Sequence, residues 1–378
     1  MKTKIKLFIV AILAMALFIS CTTMVSVKNL VPSDVNMGQY KDLAITPTQI
    51  YSKSVSWPKI KQGDSDRDID LSSFTSMNLQ QQVANYTQNS LENSLSRSDF
   101  FNLTDPISTQ NLITAGKVIG QSQKIFVDAG VSAILATKIS DLDYNQTIEM
   151  DDATMINSIG VSTDSTNYYL HQEADIEISY SVIDVLQQNV ITSGSIEKTA
   201  EKDTLVATWI DDYDGAGTEK FTQITHVAPD LEDLFEDCID EIVEEIRNKL
   251  APQYSYSNVF LMKNKPELKS VKNTYKVARK GNYTLAYNEF YNAWTSSRHI
   301  ASGYNAAILL QAIGKMDEAE KLMEEVYNYS GNPKILDRLN TMKQNLKDYN
   351  QATLQITGEQ KSGDTEVQLV TLENFFAN

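Results

Sequence analysis

Cysteine and histidine are scarce in this chain. Two Cys (Cys21, Cys238) and three His (His171, His226, His299) are spread over 378 residues, too few for most zinc sites or a disulfide framework. Positive charge is also short: 33 Lys and Arg face 49 Asp and Glu, a net of −16. Nucleic-acid binding rests on clustered Lys and Arg, so this balance argues against nucleic acid as the main partner. It argues equally against polybasic attachment to anionic lipid. No apolar run reaches the roughly 20 residues of a membrane-spanning helix. Hydrophobic residues still make up 42% of the chain, which supports folded cores, and the length accommodates two or three domains.

The longest apolar run, Leu7 to Ile19, follows Lys2, Lys4 and Lys6. A basic start and a short apolar segment form a secretory signal rather than a span. The run ends Phe18-Ile19-Ser20-Cys21. This resembles a bacterial lipobox, with Phe18 in place of the usual Leu, and implies cleavage before Cys21 and a lipid on its sulfur. Thr22 and Thr23 follow where inner-membrane lipoproteins tend to carry Asp, so the resemblance implies an outer membrane. Cys238 lies in the pattern Leu231, Leu234, Phe235, Cys238, Ile239, Ile242, Val243, Ile246, Leu250. That is one face of a helix, and makes Cys238 an apolar filler, not a nucleophile.

Two periodicities follow along the chain. Residues 22–40 carry no clear pattern and read as a tether. A short strand at Asp42–Ile45 stops at Pro47, a helix is expected from about Met77 to Ser96, and a second strand at Asp99–Leu103. Another helix fits 108–128, closed by Gly130. Val131–Leu142 reads as a long strand, Ala174–Val185 as an alternating strand paired with Val190–Ala200, and Asp230–Leu250 as an amphipathic helix between Pro229 and Pro252.

This order, with "LSRSDFFNLTD" (95–105), "GVSAILATKI" (130–139), "SYSVIDVLQQNVITSGS" (179–195) and "KLAP" (249–252), resembles the small α/β domain of the curli-assembly lipoprotein, the lipoprotein activators of penicillin-binding proteins, and a group of uncharacterised Bacteroidetes-type lipoproteins. The resemblance covers about 40–254. It implies a sheet with helices against it that works through protein contacts, and offers no catalytic residues to carry over.

The C-terminal part turns wholly helical. Gly281, Ala286, Phe290 and Ala293 recur 33 residues later as Gly314, Ala319, Met323 and Val326, close to the 34-residue period of tetratricopeptide repeats. Two such repeats bury little alone, and Pro333–Tyr349 can supply a capping helix. The expected fold is therefore α+β. Residues 1–20 are a signal peptide and 21–40 a lipidated tether. A three-layer-like α/β domain with a mixed sheet flanked by helices occupies 41–254. A tetratricopeptide-like helical unit occupies 266–350, and 351–378 form a polar tail. By position in such repeats, the first helices would line a groove with Tyr275, Arg279, Tyr304, Ile308 and Gln311. Tyr and Arg there suit a protein contact.

Catalytic patterns are missing. No phosphate loop, dinucleotide fingerprint, zinc-protease motif or nucleophile elbow occurs. Ser195-Ile196-Glu197-Lys198 has the S-x-x-K spacing on an expected strand, where those two side chains do not share a face as on a helix. Asp64, Asp66, Asp68 and Asp70 alternate like the start of a calcium loop. Ile69 and Thr75 stand where its Gly and final acid belong. The acids on 230–250 form a solvated face. No metal, cofactor or small-molecule substrate is expected, and no enzymatic activity. The expected function is that of a lipid-anchored adaptor on the periplasmic side of the outer membrane, binding an envelope protein. The alternative is a subunit of a curli-type secretion channel, with residues 145–173 and 203–227 as its membrane hairpins. These segments carry Glu149, Asp151, Asp152, Asp211 and Asp212 rather than the continuous apolar row such hairpins need.

Overall fold

The computed structural model describes residues 23–53, 60–62, 68–72, 78–156, 160, 162–359 and 372–376. The signal segment, Cys21, Asp64 and Asp66 lie outside these described residues. In chain order the elements are β1 (Met24–Val31), β2 (Asp42–Ile45), α1 (Leu79–Ser96), β3 (Asn102–Thr104), α2 (Pro106–Ile119), α3 (Ser122–Asp128), β4 (Ala133–Ile156), β5 (Ser162–Asp184), β6 (Asn189–Ile210), β7 (Lys220–Gln223), α4 (Glu232–Leu250), β8 (Gln253–Phe260), α5 (Thr274–Arg279), α6 (Tyr283–Ser297), α7 (Ile300–Ala312), α8 (Met316–Ser330), α9 (Pro333–Thr357) and α10 (Leu372–Phe375). They form two compact units. One takes Met1–Pro32 with Pro252–Thr357, the other Ser33–Ala251 with Gly358–Asn378. The architecture is α+β, a mixed sheet with flanking helices followed by a helical stretch.

The sheet unit orders its strands β3-β2-β4-β5-β6-β7. β2 runs parallel to β3 and β4, and β4 to β7 run antiparallel. One face is covered by α1 and α4. The apolar stripe of α4 from Leu234 to Leu250, Cys238 included, packs there with Leu79, Val83, Leu91 and Leu95 of α1. Glu232 and Asp233 in the first turn of α4 and Arg247 and Lys249 in its last complement the helix dipole. On the opposite face Phe126 and Ile113 pack with Ile134, Ile183 and Leu372. The expected helix over 108–128 is in fact two helices. Asp105 caps α2 by accepting from the Ser108 amide at 2.9 Å, and Gly120 ends it with φ 62°, a left-handed position that favours glycine.

β4 and β5 hold 24 and 23 residues, about 80 Å each at the rise of a strand, twice the expected length. A bulge between Ile139 and Asp141 shifts the register, so the buried residues change from odd (Leu135, Thr137, Ile139) to even (Leu142, Tyr144, Gln146, Ile148). The far half has its own small core of Ile69, Ile148, Tyr168, Leu170, Val206, Ala207 and Ala228. Residues 60–62 lie against β4 there, through Lys61 N to Gln146 O (3.0 Å) and Ile148 N to Lys61 O (2.8 Å).

The helical unit stacks α5 to α9 in sequence. Gly281 and Gly314 (φ 81° and 83°) make the turns into α6 and α8, where the 33-residue repeat placed them. α7 is the central helix, and nearly every residue from Ala301 to Gln311 is buried. Gly303 permits this packing: a Cβ there would stand 2.5 Å from Val326 Cγ2 and 2.9 Å from the Trp294 ring. Two expectations at the chain ends are corrected. Residues 24–31, read as tether, form β1, which pairs antiparallel with β8 from Met24↔Phe260 to Val31↔Gln253. The expected polar tail is divided: residues up to Thr357 continue α9, while Leu372 is fully buried in the sheet unit and the Phe376 ring stacks on Phe126 at 5.9 Å.

Candidate functional site

The five residues expected to line an open groove come together in the helical unit, but their side is covered. β1 packs against α5, α7 and α9, and Val25 and Val27 share one core cluster with Tyr304, Ile308, Ala278 and Phe290. Ile308 and Gln311 are buried, and Tyr304 is only 9% exposed. Alternation explains the placement: Val25 and Val27 point to the helices, Met24, Ser26 and Lys28 away from them.

A polar network holds the strand and the chain that follows β8. Gln311 Nε2 donates to Asn29 Oδ1 (3.2 Å), and Arg338 Nη2 donates to Gln311 Oε1 (2.5 Å). Asn345 reaches the same Asn29 oxygen at 3.3 Å. Asn305 brackets Met262, accepting from its amide at 2.7 Å and donating to its carbonyl at 3.0 Å. Tyr275 Oη donates to that carbonyl at 2.7 Å and accepts from Asn305 at 3.0 Å. Burial pushes the Tyr275 hydroxyl up to about 12 and the Tyr304 hydroxyl upward, and it lowers the Arg338 guanidinium. These groups serve as fixed hydrogen-bonding partners of the chain's own backbone and side chains. The expectation of Tyr275, Tyr304, Ile308 and Gln311 as an exposed binding surface is thereby corrected. Arg279 is the exposed member, and its Nη2 donates to Thr23 Oγ1 at 3.2 Å.

The sheet unit carries a cleft of about 440 Å³ between α1 and α4. Ser90 Oγ and Tyr86 Oη donate to Asp240 (2.6 and 3.2 Å), and Ser94 Oγ donates to Glu244 (2.8 Å). Burial first, and the acids of α4 next, raise Tyr86 to about 12. These hydroxyls and carboxylates are bonded to one another, with no thiol or imidazole at the cleft. Ser195 and Lys198 sit on β6, and Lys198 Nζ reaches Glu245 at 3.5 Å. Among the described residues no three His, Cys, Asp or Glu group as metal ligands do, and no helix is long and apolar enough to cross a membrane. His171 Nδ1 meets Asp203 Oδ1 at 2.8 Å, and His299 bonds Ser302 Oγ (2.7 Å) and Pro266 O (2.9 Å).

No family model matches the chain, and no curated protein does. Among solved structures it is similar to a PelC dodecamer from Paraburkholderia phytofirmans, at 9% identity over 59% of this chain and 96% of that one, TM-score 0.23. It is also similar to lipoprotein GNA1162 from Neisseria meningitidis, at 9% identity over 43% and 83%, TM-score 0.20. Likenesses this slight carry no functional argument.

One feature escaped the charge total. Between Met262 and Gly281 stand Lys263, Lys265, Lys269, Lys272, Lys276, Arg279 and Lys280 against one acid, Glu267. All eight side chains are exposed. The net charge of −16 averages this segment with the acidic face of α4 and so hides it.

Proposed function

We propose that the chain is a lipid-anchored lipoprotein of the outer membrane, facing the periplasm, that acts as a non-catalytic adaptor between the envelope and a protein partner. The observation that carries the reading is Lys2, Lys4, Lys6 and a short apolar run ending at Ser20-Cys21, the pattern of an exported, acylated precursor. The helical hairpins fit the tetratricopeptide pattern, with β1 as a built-in occupant of the first-helix side. A surface for a partner is the acidic face of α4, where Glu232, Asp233, Asp237, Asp240, Glu241 and Glu244 suit a basic protein surface.

A Cys21→Ala variant tests the anchor. The precursor is expected to remain unprocessed, or the protein to leave the membrane fraction, with loss of radiolabelled palmitate. Normal processing and membrane retention of the variant would refute it.

A further inference from the structure

The exposed basic segment and the free face of β1–β8 meet at the chain's N-terminal end. Thr23, two residues after Cys21, is buried; it accepts from the Leu261 amide at 2.9 Å through its carbonyl and from Arg279 at 3.2 Å through its hydroxyl. Two residues of chain span about 7 Å at most. A lipid on Cys21 therefore brings the bilayer surface to Thr23 and to its neighbours. Those neighbours are of two kinds. Met24 and Phe260 stand opposite each other on the strand pair and are 46% and 58% exposed. Lys272, Lys276, Arg279 and Lys280 recur at helical spacing, and the other side of α5, at Thr274 and Ala278, is buried. The acids close by are Glu267, 3.9 Å from Lys272, and Glu289, which accepts from Thr274. Lys28 lies over the Tyr254 ring at 3.5 Å, on a strand whose Tyr256 is 70% exposed.

We propose that this end of the helical unit, Lys263 to Lys280 with Met24 and Phe260, is a docking surface for anionic phospholipid headgroups. The inference rests on the lipid anchor proposed above. Charge complementarity and the short reach from Cys21 select the bilayer as the occupant. A cluster of four to eight Lys or Arg beside a membrane attachment point is attracted to anionic headgroups, a second signal beside the acyl chains makes attachment durable, and aromatic rings settle at the interface.

The test uses the mature, acylated full chain on vesicles of phosphatidylcholine, with and without phosphatidylglycerol. Lysines are acetylated by an amine reagent and read individually by mass spectrometry. Lys269, Lys272, Lys276 and Lys280 are expected to be protected on phosphatidylglycerol vesicles, and the protection to fade with added salt, while Lys198 and Lys343 react alike on both. Equal labelling on both vesicle types would overturn the inference. Protection in concentrated protein without vesicles would overturn it in favour of a second copy's acidic α4 face. A mature N-terminus without acyl mass would instead refute the anchor. For the mature chain carrying Cys21→Ser, binding to phosphatidylglycerol vesicles should fall about fivefold for each of Lys269→Glu, Lys272→Glu and Lys276→Glu, at least the share of one lysine near an anionic surface. Unchanged binding in all three would also refute the docking surface.

Discussion

Replacing Val25 and Val27 of β1 by Ala tests whether this segment is a strand of the helical unit. Both side chains are fully buried among Tyr304, Ile308 and Phe290. Each replacement removes two methyl groups from a packed site. Removing one buried methylene costs about 0.5–1.5 kcal/mol, so the pair should destabilise the helical unit by roughly 2–5 kcal/mol, with some non-additivity between near neighbours. Hydrogen exchange read by peptide mass spectrometry separates the two units. Amides of α7 and α8 should exchange at least about thirtyfold faster, the equivalent of 2 kcal/mol. Amides of α4, in the sheet unit, should keep their protection. Ser26→Ala, on the exposed face of the same strand, should shift protection by less than about 0.5 kcal/mol. If α7 exchanges in the double variant as in wild type, residues 24–31 are a tether and the covered groove is wrong.

Gly303→Ala should destabilise the helical unit by about 1–3 kcal/mol, because the new Cβ meets Val326 and Trp294 closer than van der Waals contact; an unaltered melt would contradict the packing of α7. Cys238 is buried and its thiol is pushed up to about 11 by burial, so iodoacetamide at neutral pH should modify it only in denaturant, and rapid native labelling would refute its place on the buried stripe of α4. Asp203 raises the His171 pKa above its ordinary 6.5, first through their hydrogen bond. The pair's contribution is therefore complete below pH 6.5 and lost as pH rises through the raised value. The small gap in urea midpoint between wild type and Asp203→Asn should close toward alkaline pH, and a gap constant from pH 5 to 9 would show the pair to be uncoupled.

What was legible in the sequence was whatever repeats at short range. The α4 stripe, the 174–200 strand pair and the 33-residue recurrence of Gly and Ala each declare themselves within a few turns or one repeat. The far halves of β4 and β5 were harder because their inward row is partly polar. Gln146 and Gln172 are buried there, with Gln172 Nε2 donating to Gln146 Oε1 at 3.0 Å and to Pro229 O at 2.9 Å, so apolar alternation breaks where strand pairing does not. β1 and β8 do alternate, Val25 and Val27 on one and Tyr254 and Tyr256 on the other. Each is short, and the partner that gives either a meaning is more than 200 residues distant. The Tyr and Arg residues of the first helices were recognisable as a binding set. Their ligand being the same polypeptide was not, since the sequence carries no mark of which strand would occupy them.

The pairing of β1 with β8 also bears on how the protein is born. Apart from its C-terminal stretch after Gly358, the sheet unit is, in chain order, an insertion within the helical one. In a polypeptide synthesised N-terminus first, β1 is delivered early and the helices that shelter it more than 200 residues later. For more than 200 residues of passage its Val25–Val27 edge has nothing to pair with, a state in which an apolar strand can join the wrong neighbour. Completion of the helical unit is thus a late, long-range event, slowed by loop closure. Nascent chains stalled before Pro252 should contain the paired strands β2 to β7 and an unclaimed first strand.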